Sequence, residues 1–91
     1  NYIETSLDRR KMVYITSNHH INAVKDYLSE NETGYTAMDV RGGYTGDGRE
    51  MLMVILDNHD YNRLIRGVHQ VDPEAFMIAY DISEAHGGTF L

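Results

Sequence analysis

The chain has 91 residues, enough for one domain with a modest core and too few for a second. Lys plus Arg number 8 against 14 Asp plus Glu, a formal charge of −6, and no basic stripe is present. That balance argues against nucleic acid as a partner, because phosphate backbones are held by Lys and Arg. With no cysteine, disulfides, thiolate catalysis, Cys-based zinc sites and iron–sulfur clusters are excluded.

Residues 1–10 are mixed and polar, close on Arg9-Arg10-Lys11, and read as a linker or edge extension ahead of a single domain over 11–91. Met12-Val13-Tyr14-Ile15-Thr16, β-branched and aromatic, predicts a strand. Ser17 and Asn18 are good N-caps for a helix whose apolar stripe is Ile21, Val24 and Leu28, and Asn31 and Gly34 stop it. Thr36 to Arg41 alternates, with Thr36, Met38 and Val40 on one side and Ala37, Asp39 and Arg41 on the other, the pattern of a half-exposed strand. Gly42 to Gly48 holds four glycines in seven residues and is the densest turn signal in the chain.

Met51 to Leu56 is apolar on both faces and predicts a central strand; at six residues it is far short of the ~18 that a membrane-spanning helix needs. Asp57 and Asn58 offer caps for a second helix with the stripe Tyr61, Leu64, Ile65, Val68 and Val71. Asp72-Pro73 ends it, since the residue before proline is pushed out of helical geometry. Ala75 to Ile82 predicts the last strand, and Ser83 to Leu91 a short tail.

The order strand–helix–strand–strand–helix–strand is that of the α+β ferredoxin-like fold, βαββαβ, with a four-stranded antiparallel sheet and both helices on one face. The other face would then be uncovered and apolar, drawing on Met12, Tyr14, Met51, Met53, Ile55 and Met77 or their alternates. Large exposed apolar patches mark interfaces. The expected partner is a second copy of the chain, giving a homo-oligomer through the open sheet face; the alternative is that the N-terminal or C-terminal segment folds across it. Charge introduced there, at Met53 or Leu52, would break the oligomer.

Several segments resemble a known family. They are Lys11-Met12-Val13-Tyr14-Ile15, Gly43-Tyr44-Thr45-Gly46 before an apolar strand, Val71-Asp72-Pro73-Glu74-Ala75-Phe76 and Asp81-Ile82-Ser83-Glu84. Together they are similar to the soluble C-terminal domain of YitT-type bacterial membrane proteins, over about residues 11–90. The resemblance implies a multi-pass transmembrane domain upstream in the same chain, a place on the cytoplasmic face of the membrane, no established activity, and a distant likeness to the PII-type signalling proteins, which form trimers and bind nucleotides between subunits. The start at Asn1 rather than Met fits an excised piece of a longer protein. Two segments depart from the family's habit: the tail reads Ala85-His86-Gly87-Gly88-Thr89-Phe90, and Arg49-Glu50 stands where a Lys is common.

The leading candidate for ligand binding is the loop through Gly43, Tyr44, Thr45 and Gly46. Glycine backbone can approach an anion closely, Tyr44 can stack on a base and Thr45 can hydrogen-bond. A small anionic or nucleotide-like ligand suits it, although the Gly-Lys-Ser/Thr ending of a P-loop is missing. Gly87 and Gly88, with Phe90, are the second candidate, as a tail that closes over a ligand or a neighbouring subunit.

No metal or other cofactor is expected: His19 and His20 are adjacent at a helix start, so their side chains diverge by about 100°. A site would need a further ligand such as His59 or Asp60. No catalytic set is expected either, because Asp57 and Asp60, or Asp81, Ser83, Glu84 and His86, lack a recognisable nucleophile–base spacing. The expectation is a regulatory, ligand-sensing module and not an enzyme; the alternative is a purely structural oligomerisation domain with no ligand.

Overall fold

The computed structural model describes residues 10–82. The elements are β1 (Arg10–Thr16), α1 (Ile21–Glu30), β2 (Thr36–Arg41), β3 (Gly48–Asp57), α2 (Asn58–Val71) and β4 (Phe76–Ile82). The sheet order is β2-β3-β1-β4 with every neighbouring pair antiparallel, the predicted βαββαβ arrangement. β3 is central, as its two-sided apolar run requires, and it extends past Met51–Leu56 to Gly48 and Asp57.

Register decides which residues meet the helices. Val13 and Ile15 of β1 pair with Val54 and Leu52 of β3, and all four are fully buried with Val24 and Leu28 of α1 and Leu64 and Val68 of α2. Met77 and Ala79 of β4 and Leu56 of β3 pack at the margin of this core. Met77 therefore points toward the helices and not, as the sequence suggested, into the open face, and the same register places Leu52 in the core.

The two helices approach closely at one point. A Cβ added to Gly67 would lie inside the ring and hydroxyl of Tyr27, so glycine at this buried turn of α2 makes room for the Tyr27 side chain of α1. Glycine in a helix interior costs roughly 1 kcal/mol relative to alanine, and here the close packing offsets it. We expect Gly67→Ala to destabilise the domain by ~1–3 kcal/mol in urea unfolding through overpacking. In a Tyr27→Ala background the same change should be neutral or stabilising; an equal cost in both backgrounds would rule out the contact as its cause.

The end of α1 is less conventional than Asn31 and Gly34 suggested. The Thr33 amide donates to Leu28 O at 2.8 Å and the Glu32 amide to Ser29 O at 3.1 Å, the paired bonds of a Schellman motif. Its left-handed position is taken by Glu32, at φ 55°, where glycine is usual. Glu32→Gly should raise stability by ~0.5–1 kcal/mol, the relief of left-handed strain less the entropy that glycine adds to the unfolded chain. A loss in chemical denaturation would contradict this.

The sheet face away from the helices carries Met12 and Tyr14 of β1, Met38 and Val40 of β2, Met51, Met53 and Ile55 of β3, and Phe76, Ile78, Tyr80 and Ile82 of β4. Phe76, Ile78 and Tyr80 are 62%, 41% and 51% exposed, and Tyr80 meets Tyr14 edge-on at 5.9 Å between ring centres. Charge on this face is confined to its ends, with Arg10 and Asp57 at one and Arg49 at the other. Among the described residues, no helix lies over it.

Candidate functional site

Gly42 to Asp47 connect β2 and β3 as a turn closed by its own backbone. The Gly46 amide donates to Gly42 O at 2.8 Å, and the Gly42 amide to Asp47 O at 2.9 Å. Gly46 has φ 76°, a conformation that disfavours side chains. Thr45 is exposed, its Oγ1 accepting from the Asp47 amide at 3.2 Å, and Arg41 donates from Nη1 to Gly46 O at 2.9 Å. Tyr44 projects entirely into solvent, at 101% exposure. The loop therefore brings together Gly43, Tyr44, Thr45 and Gly46, while Gly87 and Gly88 lie outside the described residues.

Pairing register gives this loop an unusual base. Thr16, the last residue of β1, sits opposite Met51, so Gly48–Glu50 of β3 and the paired Asp39–Arg41 of β2 extend beyond the third strand as a two-stranded overhang. At about 3.4 Å per residue, three residues carry the loop roughly 10 Å past the sheet. One contact braces each side. Lys25 of α1 reaches Glu50 at 2.6 Å on the helix side, and Arg49 on the opposite side donates to Asn18 Oδ1 at 2.6 Å. The hydrogen bond that Lys25 donates to Glu50 raises the Lys25 ammonium above the ordinary lysine value, although burial pulls the other way. Asp39 and Glu50 face each other across the strands, a like-charge pair that Lys25 partly neutralises.

An open groove of about 600 Å³ lies at this base, lined by Asp39, Val40, Arg41, Gly48, Arg49 and Glu50. Strand alternation sends Asp39, Arg41 and Glu50 to the helix side of the hairpin and Arg49 to the other, so the two guanidiniums flank the groove from opposite faces, with the Lys25 ammonium bonded to Glu50. The sequence pointed to the loop; the cations beneath it were missed. Their signal was the Arg-x-x-x-x-x-x-x-Arg pair, Arg41 and Arg49, bracketing the glycine run, which draws notice only once strand pairing is known.

A second polar cluster is a structural pin. The expected cap Ser17 is not the N-cap of α1; that position is His20, which makes no side-chain cap bond. Instead the Ser17 hydroxyl donates to Asp72 Oδ2 at 2.5 Å and accepts from the His20 amide at 2.9 Å, while the Glu74 amide donates to Asp72 Oδ1 at 3.0 Å. Both side chains are buried. The Ser17 hydroxyl, against the opposing effect of burial and with help from the Glu74 amide, holds the Asp72 carboxyl below the usual aspartate range.

A depressed carboxyl stabilises the fold fully above its unfolded pKa of about 3.9 and loses that contribution as pH falls through the lower folded value. Ser17→Ala should lower the thermal midpoint at pH 7, and the gap to the parent should shrink as pH drops below the carboxylate range. A gap that is constant with pH would assign the effect to packing alone.

The histidines do not assemble. His19 and His20 lie beyond the end of β1, whereas His59 and Asp60 start α2 at the opposite end of the sheet, where Asp57 pairs with Arg10. Six strand residues, roughly 20 Å, separate the two ends. Asp57, His59 and Asp60 do cluster within 4.8 Å, but Arg63 donates to Asp60 Oδ1 at 2.9 Å and Arg10 lies 3.7 Å from Asp57, so both carboxylates already have cationic partners.

Residues 33–87 match the family DUF2179, described as uncharacterized protein conserved in bacteria. The chain belongs to this family. It is 31% identical over 88 residues to the UPF0750 membrane protein YvjA of Bacillus subtilis, and 22% identical over 91 residues to YxkD of the same organism, also named a UPF0750 membrane protein. It spans 31% and 33% of their lengths, about a third of each. No helix among the described residues is long and apolar enough to cross a membrane.

A crystal structure of a DUF2179 protein from Eubacterium ventriosum matches with 29% identity and a TM-score of 0.66, covering 78% of this chain and 97% of that one. The fold is also shared with CPII of Thiomonas intermedia, a nitrogen regulatory PII-like protein bound to ADP, AMP and bicarbonate, at 17% identity and TM-score 0.63, covering 86% and 91%. The resemblance to the YitT-type domain and its PII-like fold therefore holds. The relatives are membrane proteins, and the fold neighbours include signalling proteins.

Proposed function

We propose that this domain is a ligand-sensing regulatory module on the cytoplasmic side of a multi-pass membrane protein, acting by binding and not by catalysis. It takes a small anionic or nucleotide-like molecule at the glycine-rich loop and self-associates through its open sheet face. The observation that carries the ligand reading is the groove beneath the loop, flanked from opposite faces of the hairpin by Arg41 and Arg49, either of whose guanidiniums suits phosphate or carboxylate, with the exposed Tyr44 ring above it. Guanidiniums bind such groups bidentately, and a ligand anion can take the place of the weak partners they now have, Gly46 O and Asn18. The nucleotides and bicarbonate of the PII-like neighbour set the first ligands to try.

A second reading, a structural oligomerisation domain without ligand, is favoured by the apolar face alone, which needs no small molecule to explain it. Thermal unfolding of the chain with ATP, ADP, AMP, cyclic dinucleotides and bicarbonate separates the two. A ligand at ten times its Kd adds about 1.4 kcal/mol, which raises Tm by roughly 6–11 °C at this size. We expect one of these ligands to do so, and Arg41→Ala, Arg49→Ala and Tyr44→Ala each to abolish the shift while leaving the unliganded midpoint within a few degrees. A flat response across the set, with association intact, selects the structural reading.

A further inference from the structure

Self-association through the open face, as proposed above, still leaves undetermined how two copies meet. Among the described residues the sheet ends in two unpaired edges, β2 and β4, and both ladders run without a bulge, a proline or a lysine on the edge strands, whose charges are Asp39, Arg41 and Asp81. Natural sheets blunt exposed edges with such features, and edges lacking them invite pairing with another chain. The most exposed apolar side chains of the face also belong to an edge strand, β4. An occupant that merely lay on the face would leave both edges open. One that joined the edges would cover face and edges together.

We infer that two copies join β4 of each to β2 of the other, closing an eight-stranded barrel with the apolar faces inside and the helices outside. Direction allows it. β1 and β2 run one way and β3 and β4 the other, so a two-fold axis along the strands sets β4 antiparallel to the partner's β2 at both junctions. Size allows it too, since about eight strands make a barrel whose interior side chains just fill it, and the methionines and tyrosines of this face are suited to such filling.

Register follows from strand length and charge. Setting Ala79 opposite Asp39 pairs all six residues of β2 within β4, from Thr36 against Ile82 to Arg41 against Met77. Inside the barrel, Tyr80 then meets Met38 and Ile78 meets Val40. A two-residue shift in one direction places Asp81 against Asp39, a like-charge pair, and in the other it runs off the start of β4.

Because the chain has no cysteine, the register can be tested by introducing two, as Asp39→Cys with Ala79→Cys. Within one copy these positions are three strand spacings apart, about 14 Å, beyond disulfide reach. Across the proposed junction their Cα atoms would be roughly 4.5–5.5 Å apart, inside it. The expected result of mild oxidation is a covalent dimer on a non-reducing gel, with no larger species, and each single-cysteine variant should stay uncrosslinked. Tyr80→Asp in the double-cysteine background should prevent the crosslink, with the folded circular dichroism spectrum retained.

Light scattering on the parent chain distinguishes the possible failures. A monomer would overturn both self-association and the barrel. An oligomer whose paired cysteines do not crosslink would overturn the barrel alone, and crosslinked trimers or a ladder would overturn its closure at two copies.

Discussion

Among the described residues one face of the sheet is covered and the other is not, and most features of this domain follow from that asymmetry. Right-handed crossovers oblige α1 and α2 to share a side. Val13, Ile15, Leu52 and Val54 then have helices to pack against, while their neighbours Met12, Tyr14, Met51 and Met53, one position along each strand, do not. Because side chains alternate strictly along a strand, no local adjustment moves an apolar residue from one side to the other without moving all of them. The open face is thus built into β1 and β3 as firmly as the core is.

The glycine-rich loop owes its position to the same sheet. β3 is longer than β1 at the end where β1 turns into α1, and the surplus length, paired only with β2, lifts the loop clear of the domain body. This creates the groove at the loop's base and gathers Arg41, Arg49, Asp39 and Glu50 around it. The loop itself is closed by internal hydrogen bonds, so an incoming group would meet guanidiniums and the Tyr44 ring before it met backbone amides.

How much of this could be read from residues alone varies with the kind of signal. Element order, the central position of β3 and the α2 stripe were legible, because period and apolar run length are local properties of the chain. The assignment of Met77 and Leu52 to faces was not, since a one-residue change of phase reverses it and only the pairing of β1 with both neighbours fixes the phase. Ser17 looked like a helix cap, and its hydroxyl instead found an aspartate 55 residues away. Gly67 drew no notice as a lone glycine in a helix, because its reason lies on Tyr27 of the other helix. The loop was legible from glycine density, and the cationic groove beneath it was not, because it depends on strand register and on an α1 side chain.

The two braces of the overhanging hairpin differ in kind from what holds the rest of the domain. Lys25–Glu50 is a partly exposed ion pair, and Arg49–Asn18 is an exposed charge-assisted bond. The core beneath α1 and α2 is aliphatic and fully enclosed. Dissolved ions screen the first kind, modestly at such short range, and leave the second nearly untouched. Ionic strength therefore acts on this molecule as a selective softener. It loosens the hold on the loop-bearing hairpin while the globule that carries it keeps its stability, so loop motion and global unfolding answer to different properties of the surrounding solution.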